Sequence, residues 1–212
     1  MNEQQLQQLI TGVVTQLLLA SQQDDTVPVE VSGRHVHLTQ ADVEALYGPG
    51  HTLTHVRDLS QPGQFLAEER ISIVTAKGAF HNVAVLGPVR NHTQVEISMT
   101  DARALGLKPP VRQSGDTKGC PGICLLAGER MLQAEESVMV AQNHIHMTPE
   151  DARRYGVQDG QTVKVQMQTS RPLTFDDVVI RVREDYALAM HIDSDESNAC
   201  AFQKGETGRL VR

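Results

Sequence analysis

A short sequence motif that occurs twice constrains this chain more than any other feature of its 212 residues. The first copy, Arg-His-Val-His-Leu-Thr, occupies residues 34–39 and is followed by Asp42. The second copy, Asn-His-Ile-His-Met-Thr, occupies residues 143–148 and is followed by Asp151. Both copies come shortly after an apolar, strand-like run. A motif repeated in matching contexts predicts two related halves with the same local structure.

The two histidines of each copy are spaced so that they can act together. Residues two apart in a β-strand point to the same face and lie about 6.6–7 Å apart along the strand. His35 and His37 can therefore lean toward one point, as can His144 and His146, while the residue between them packs on the opposite face. Two imidazoles that converge on one point suit a divalent transition metal. The repeated motif predicts two metal sites, or one metal site at the junction of the two halves.

Further ligands are needed because zinc sites usually have four, with one position open in catalytic sites. Glu96 lies in the strand-like run Gln-Val-Glu-Ile-Ser, and His191 lies in the apolar run Leu-Ala-Met-His-Ile-Asp. A single histidine in an apolar run is more often a hydrogen-bonded core residue, but the two His-x-His pairs favour a ligand here. His92, which would share a strand face with Glu96, is an alternative or additional ligand. The predicted sets are His35, His37 and Glu96, and His144, His146 and His191.

Arg90 is a candidate for binding an anion beside these ligands. It follows the turn Leu-Gly-Pro-Val at residues 86–89 and precedes Glu96 by six residues. The guanidinium group presents a planar fork of donors that matches phosphate or carboxylate. Most arginines lie at the surface without such a role, but the position of Arg90 near a candidate ligand predicts an oxyanion clamp.

Composition and charge argue against several classes of function. The chain has 3% aromatic residues, no tryptophan and a formal net charge of −7, which disfavours base stacking and general binding to a phosphate backbone. Three cysteines are too few for a disulfide framework and fit a reducing compartment. Cys120 and Cys124 are spaced too widely for a zinc knuckle and are interpreted as part of a turn. We expect no membrane span, since no run approaches the ~18–20 apolar residues that a span needs. We also expect no secretory signal, since the first twenty residues contain no lysine or arginine.

Beyond residue 26, the chain is interpreted as short strands punctuated by glycine and proline. Short helices are predicted to begin after Thr39, Thr100 and Thr148, each followed by an acidic residue in the first turn. Many brief strands at this spacing favour a mainly β fold of two small barrels with short capping helices. The predicted strands are 27–31, 71–75, 82–86, 94–97, 138–141, 162–166, 178–182 and 188–192.

The first twenty residues form a separate segment. Leu6, Ile10, Val13 and Leu17 recur at the spacing of one helical stripe, with glutamine and threonine on much of the other side. Such a helix could dock on its own domain, build a dimer, or fit a groove on another protein. Residues 21–26 are predicted to be a polar linker.

Four long motifs, in this order, resemble the PduL-type phosphotransacylases, also called phosphate propanoyltransferases. The resemblance extends from about Val27 to the C-terminus. The motifs are Val-Glu-Val-Ser-Gly-Arg-His-Val-His-Leu-Thr at 29–39, Gly-Pro-Val-Arg with Gln-Val-Glu-Ile-Ser at 87–98, Val-Ala-Gln-Asn-His-Ile-His-Met-Thr at 140–148, and Met-His-Ile-Asp-Ser-Asp-Glu-Ser-Asn at 190–198.

The resemblance implies two β-barrels with a dinuclear zinc site between them, held by the two sets of residues named above. It implies that Arg90 contacts phosphate and that the enzyme exchanges a propanoyl or acetyl group between coenzyme A and phosphate. The helix at residues 1–20 resembles the encapsulation peptides that direct such enzymes into bacterial microcompartments, including those for propanediol degradation. Coenzyme A contacts are implied for Val31, Ser32, Gly33, Lys77 and Asn198.

These inferences define the expected organisation. The targeting helix and linker precede one barrel unit at 27–133 and another at 134–212, and the first strand can belong to either unit. We expect an acyltransferase of the bacterial cytoplasm, packaged through shell proteins and homo-oligomeric, with no nucleic-acid or membrane partner. Two alternatives stay open: a dinuclear zinc hydrolase that uses a metal-activated water, and a zinc-stabilised scaffold protein without catalysis.

Overall fold

The computed structural model describes residues 5–7 and 25–211. Residues 5–7 are helical. The rest of the predicted helix at 1–20 and the linker up to residue 24 lie outside the described residues. The described part is mainly β, with short helices, as predicted.

Six strands close into a barrel, in the order β1-β14-β11-β13-β12-β15 and back to β1. Valine, isoleucine and methionine fill its interior, with Ile145, Met147 and Met167 fully buried. These strands are β1 Thr26–Ser32, β11 His144–Met147, β12 Thr162–Gln168, β13 Thr174–Val182, β14 Ala189–Asp193 and β15 Thr207–Val211.

The other nine strands of residues 25–211 form an open sheet, in the order β7-β10-β6-β2-β5-β4-β8-β9, with β3 paired to β4. Its apolar face includes Val36, Leu38, Val85 and Val95, all fully buried. These strands are β2 His35–His37, β3 His55–Asp58, β4 Phe65–Val74, β5 Ala79–Gly87, β6 Gln94–Glu96, β7 Val111–Arg112, β8 Ile123–Ala127, β9 Arg130–Ala134 and β10 Val138–Ala141.

Each sheet contains one strand from the other part of the chain. β1, which immediately precedes β2, runs parallel to β14 in the barrel. β10, which immediately precedes β11, runs parallel to β6 in the open sheet. The chain therefore crosses between the sheets just before each His-x-His motif, so both motifs begin where the two sheets meet.

Within residues 25–211 there are four short helices: α1 Gln40–Tyr47, α2 Met99–Leu105, α3 Pro149–Tyr155 and α4 Ser194–Ala199. Thr39 and Thr148 cap α1 and α3, as predicted, by accepting the amides of Asp42 and Asp151. The predicted cap at Thr100 is wrong, because Ser98 caps α2 and accepts the Asp101 amide at 3.2 Å. The Thr100 amide instead donates to Asp195 of α4 at 2.8 Å, which joins α2 to the barrel. No described helix is long and apolar enough to cross a membrane.

Candidate active site

The first candidate metal set is built by β2 and β6. His35 and His37 project from one face of β2, and the antiparallel register places Glu96 of β6 directly opposite His35. The His35 Nε2 and Glu96 Oε2 atoms are 3.5 Å apart. Val36, between the histidines, is fully buried on the opposite face. Burial of this side chain stabilises the fold by roughly 1.5–3 kcal/mol and fixes which face carries the imidazoles.

The second set is built in the same way by β11 and β14. His144 and His146 share a face of β11, and the antiparallel register places His191 of β14 directly opposite His144. The ring centroids of His144, His146 and His191 lie 4.7–5.2 Å apart. In each of the two sets the candidate donor atoms lie within 4.8 Å of one another. In both halves, the same antiparallel strand pairing thus adds a third candidate ligand to the two histidines of the repeated motif.

Backbone carbonyls fix one imidazole in each set. The Nδ1 atoms of His35 and His144 donate to the carbonyls of Gly33 and Gln142, both at 2.8 Å. Since a carbonyl can only accept, both rings carry a proton on Nδ1, and in the neutral form they keep a lone pair on Nε2. Metal-binding histidines are commonly oriented in this way, with the second nitrogen donating to a carbonyl or carboxylate.

Three buried ring nitrogens lack a hydrogen-bond partner within the described ranges. They are Nδ1 of His37 and both ring nitrogens of His146. A buried polar atom without a partner costs about 1–3 kcal/mol, so native proteins rarely leave such atoms unmatched. All of these atoms belong to the two candidate sets, which is the pattern expected for atoms that bind a metal ion.

The electrostatics of the second set favour neutral imidazoles. Burial lowers the pKa of His146 to about 2, with further lowering by His144 and His191. Burial likewise lowers the pKa values of His144 and His191 to about 4. A metal ion binds the neutral form of imidazole. This set of three neutral nitrogen donors fits zinc.

The first set contains a carboxylate instead of a third imidazole. Although burial favours the neutral acid, the charge of His35 and its hydrogen bond hold the pKa of Glu96 well below its usual range, and Arg90 lowers it further. Burial lowers the pKa of His37 well below its usual value. Burial opposes protonation of His35 as well, but Glu96 outweighs it and raises the pKa of His35. Two nitrogens and a carboxylate oxygen also form a donor set that fits zinc.

Arg90 lies beside the first set and is held there by hydrogen bonds. Its amide donates to the Leu38 carbonyl at 2.8 Å, and its Nη1 donates to the Ser114 hydroxyl at 3.2 Å. Ser114 in turn donates to Glu96 at 3.0 Å, and Gln94 donates to both Ser114 and Glu96. Burial lowers the pKa of the Arg90 guanidinium. This network links the predicted anion-binding group to a predicted metal ligand.

Both sets and Arg90 open onto one cleft of about 1170 Å³ between the two sheets. Of the predicted coenzyme A residues, Val31, Ser32 and Gly33 line this cleft. Lys77 is exposed in the turn between β4 and β5, and Asn198 is exposed on α4. Neither of these two lines the cleft, and all five coenzyme A contacts stay predictions.

His92 does not join the first set in the described structure. It is exposed in the turn before β6, where its Nε2 donates to the Glu136 carbonyl at 3.2 Å. His51 and His55 pair with Glu69 and Asp58, away from the two sets.

Several residues of the cleft carried no recognisable signal in the sequence. The Gln61 amide bridges the two sheets by bonding both backbone groups of Ala187, at 2.9 and 3.2 Å, and lies 3.4 Å from His191 Nε2. The Tyr186 ring stacks on His146 with centroids 4.0 Å apart. Arg181 also faces the cleft, beside His146 in the strand register. Only long-range strand pairing reveals these neighbours.

Comparisons with known proteins agree on one family. The phosphate propanoyltransferase family model matches residues 28–203. A phosphate propanoyltransferase of Listeria monocytogenes is 52% identical over 205 residues, covering 97% of this chain and 96% of the relative. One from Leptotrichia buccalis is 51% identical over 212 residues, covering all of both chains. Another, from Thermotoga maritima, is 53% identical over 184 residues, or 86% of this chain and 88% of the relative.

Proposed function

The chain belongs to the phosphate propanoyltransferase family and is an acyltransferase, and we propose that it works through two zinc ions in the cleft. His35, His37 and Glu96 would hold one ion, and His144, His146 and His191 the other. The observation that carries this proposal is the opening of both sets and Arg90 onto the same cleft. Zinc bound there supplies Lewis acidity, which polarises a carbonyl oxygen and stabilises a departing thiolate.

The reaction proposed for this cleft is direct transfer between coenzyme A and phosphate. A phosphate oxygen forms a bond to the thioester carbonyl carbon, the carbon–sulfur bond breaks, and coenzyme A leaves as its thiolate. Arg90 binds the phosphate and sets its orientation. The translational and rotational entropy of the phosphate is then lost on binding and no longer adds to the barrier of the transfer step. No cysteine among the described residues lines the cleft, which supports direct attack without a thiol-bound acyl intermediate.

Propanoyl-CoA is the preferred substrate in this proposal, with acetyl-CoA as a second acyl donor. One methylene in an apolar pocket changes discrimination by only about 1–3 kcal/mol. Coenzyme A would contact Val31, Ser32 and Gly33 at the cleft, with Lys77 and Asn198 as further proposed contacts.

We expect release of coenzyme A from propanoyl-CoA to depend strictly on added phosphate. The physical reason is that phosphate held by Arg90 is the attacking group, whereas a hydrolase would use water. The measurement is the rate of free thiol release with and without phosphate, together with detection of propanoyl phosphate. Thiol release at an undiminished rate without phosphate would support the zinc hydrolase instead, and no release in either case would support the scaffold protein.

For residues 1–20 we propose a targeting role in a bacterial microcompartment, within the bacterial cytoplasm. The sequence stripe of Leu6, Ile10, Val13 and Leu17 supports this, because a helix this short is marginal in water without a partner surface. Leu6, which lies in the described part, is 43% exposed. Shell proteins are the proposed partners, and a homo-oligomer is the proposed assembly state.

Deletion of residues 1–20 is expected to leave the transfer rate per metal-loaded chain within about twofold, while packaging into a microcompartment shell is lost. Leu6→Glu with Leu17→Glu should abolish packaging too, whereas Gln8→Glu, on the polar side, should not. Packaging is measured by co-purification with shells in a host that makes them. Unfolding of the truncated protein would show instead that the helix belongs to the core.

A further inference from the structure

Arg181 lies in the cleft at the second candidate metal set, in a position set by strand pairing. It belongs to β13, which runs parallel to β11, and its register partner is His146. The Arg181 side chain is half-buried and lines the cleft with His146 and Arg90. A guanidinium is therefore held next to each of the two sets.

Arg181 has no carboxylate partner in the part of the chain that the structure describes, unlike Arg34 and Arg183, which also line the cleft. Arg34 pairs with Asp101 at 2.7 Å, and Arg183 pairs with Asp185 at 2.8 Å. The guanidinium carbon of Arg181 instead lies 6.0 Å from the Tyr186 ring centroid, a weak cation–π contact. Its positive charge is therefore left without a counter-ion in the cleft.

Arg90 is in the same situation on the other side of the cleft. It has no salt bridge within the described ranges, and its Nη1 donates to the neutral Ser114 hydroxyl. After burial and Glu96, the next influence on the pKa of Arg90 is the charge of Arg181, which lowers it. Two guanidinium groups thus repel each other across one cleft, and an anion between them would remove that repulsion.

The backbone shows that the two arginine-bearing segments are equivalent. The Arg90 amide donates to the Leu38 carbonyl at 2.8 Å, and the Arg183 amide donates to the Met147 carbonyl at 3.0 Å. Leu38 and Met147 are the residues that follow the two His-x-His pairs. Because Arg183 itself turns to Asp185, Arg181, two residues earlier, is the arginine of this segment left free to bind a ligand.

We propose that Arg181 and Arg90 together bind one phosphoryl dianion, with one arginine contributed by each half of the cleft. The ligand is inorganic phosphate, or the phosphoryl group of propanoyl phosphate in the reverse direction. A dianion matches two guanidinium groups in charge, and each fork can donate two hydrogen bonds to it. This inference rests on the proposed phosphate-dependent transfer and adds a second phosphate-binding residue to it.

The test compares Arg181→Gln and Arg181→Lys with Arg171→Gln. Arg171 is exposed in the turn between β12 and β13, outside the cleft, and serves as the matched control. We expect Arg181→Gln to raise the KM for phosphate about 10- to 100-fold, the range for a lost charge-assisted hydrogen bond. The KM for propanoyl-CoA and the zinc content should stay within about threefold, and Arg181→Lys should recover part of the loss.

A binding measurement separates this effect from turnover. Phosphate should raise the thermal unfolding midpoint of the wild-type protein, because a ligand that binds only the folded state stabilises it. Arg181→Gln should lose most of this shift, and Arg171→Gln should keep it. The loss in kcat/KM for phosphate in the Arg90→Lys and Arg181→Gln double variant should be smaller than the product of the single losses, because both arginines contact one ligand.

Three outcomes would overturn the inference while leaving the proposed function intact. They are an unchanged KM for phosphate in an active Arg181→Gln enzyme, a rise confined to the KM for propanoyl-CoA, and strictly multiplicative losses in the double variant. Failure of the wild-type protein to transfer propanoyl groups to phosphate would instead refute the proposed function, before Arg181 is considered.

Discussion

The His144→Ala variant is expected to lose one of the two proposed zinc ions per chain and more than about a thousandfold of its transfer rate. His144 is the imidazole whose Nδ1 is fixed by the Gln142 carbonyl and whose strand partner is His191. Its removal leaves two donors in the second set, too few for a zinc site that normally has three protein ligands. The first set, in the other sheet, should keep its ion.

The measurement is zinc content per chain by elemental analysis, together with the rate of thiol release. His92→Ala is the matched control, because His92 is exposed and bonds only a backbone carbonyl in the described structure. This control should keep both zinc ions and full activity. Two zinc ions in His144→Ala, or full activity in a thoroughly chelated wild-type sample, would contradict the zinc mechanism.

A folding measurement distinguishes catalytic zinc from a scaffold role. Circular dichroism and thermal unfolding of His144→Ala should show a folded protein, because the barrel core of Ile145, Met147 and Ile192 is independent of the ring. Glu96→Gln provides a second variant, in the other sheet, that keeps side-chain shape and loses the carboxylate charge. If both variants unfold when zinc is lost, the ions are structural.

The period-two alternation of side chains along a strand is sufficient to predict the local geometry of both His-x-His motifs. Alternation places His35 with His37 on one face and buries Val36, and the structure has both features. Most strands were predicted for the same reason. The β8–β9 hairpin was missed because Ile123–Ala127 follows a Cys-Pro-Gly run interpreted as a turn. The cap at Ser98 was missed because Thr100 also precedes an acidic residue.

The rest of the site depends on contacts between distant segments. Glu96 and His191 were predicted as partners from their own runs, but the shared rule that each lies opposite the first histidine comes from strand register. Gln61 reaches Ala187 across 126 residues, and Arg181 meets His146 only because β13 pairs with β11. Such proximity is set by the packing of whole sheets, so no local pattern reports it.

Arg90→Lys is expected to keep both zinc ions yet reduce kcat/KM for phosphate about 10- to 100-fold. Lysine keeps the positive charge, but it cannot offer the planar fork that grips two phosphate oxygens. The hydrogen bond from Nη1 to Ser114, which orients the guanidinium, is also lost. The Arg90 backbone contact to Leu38 is independent of the side chain, so the local fold should be retained.

Arg112→Lys is the matched control for this change. Arg112 lies in the edge strand β7 and pairs with Asp116 at 2.7 Å, a solvent-screened surface contact outside the cleft. Initial rates over a range of phosphate concentrations separate the two ways in which Arg90 can act. A rise in KM for phosphate with kcat unchanged means that Arg90 binds phosphate equally well in the ground state and in the transition state. A fall in kcat that equals the fall in kcat/KM means that the Arg90 contact forms only in the transition state. An unchanged phosphate dependence in Arg90→Lys would show that Arg90 does not bind phosphate through its fork of donors.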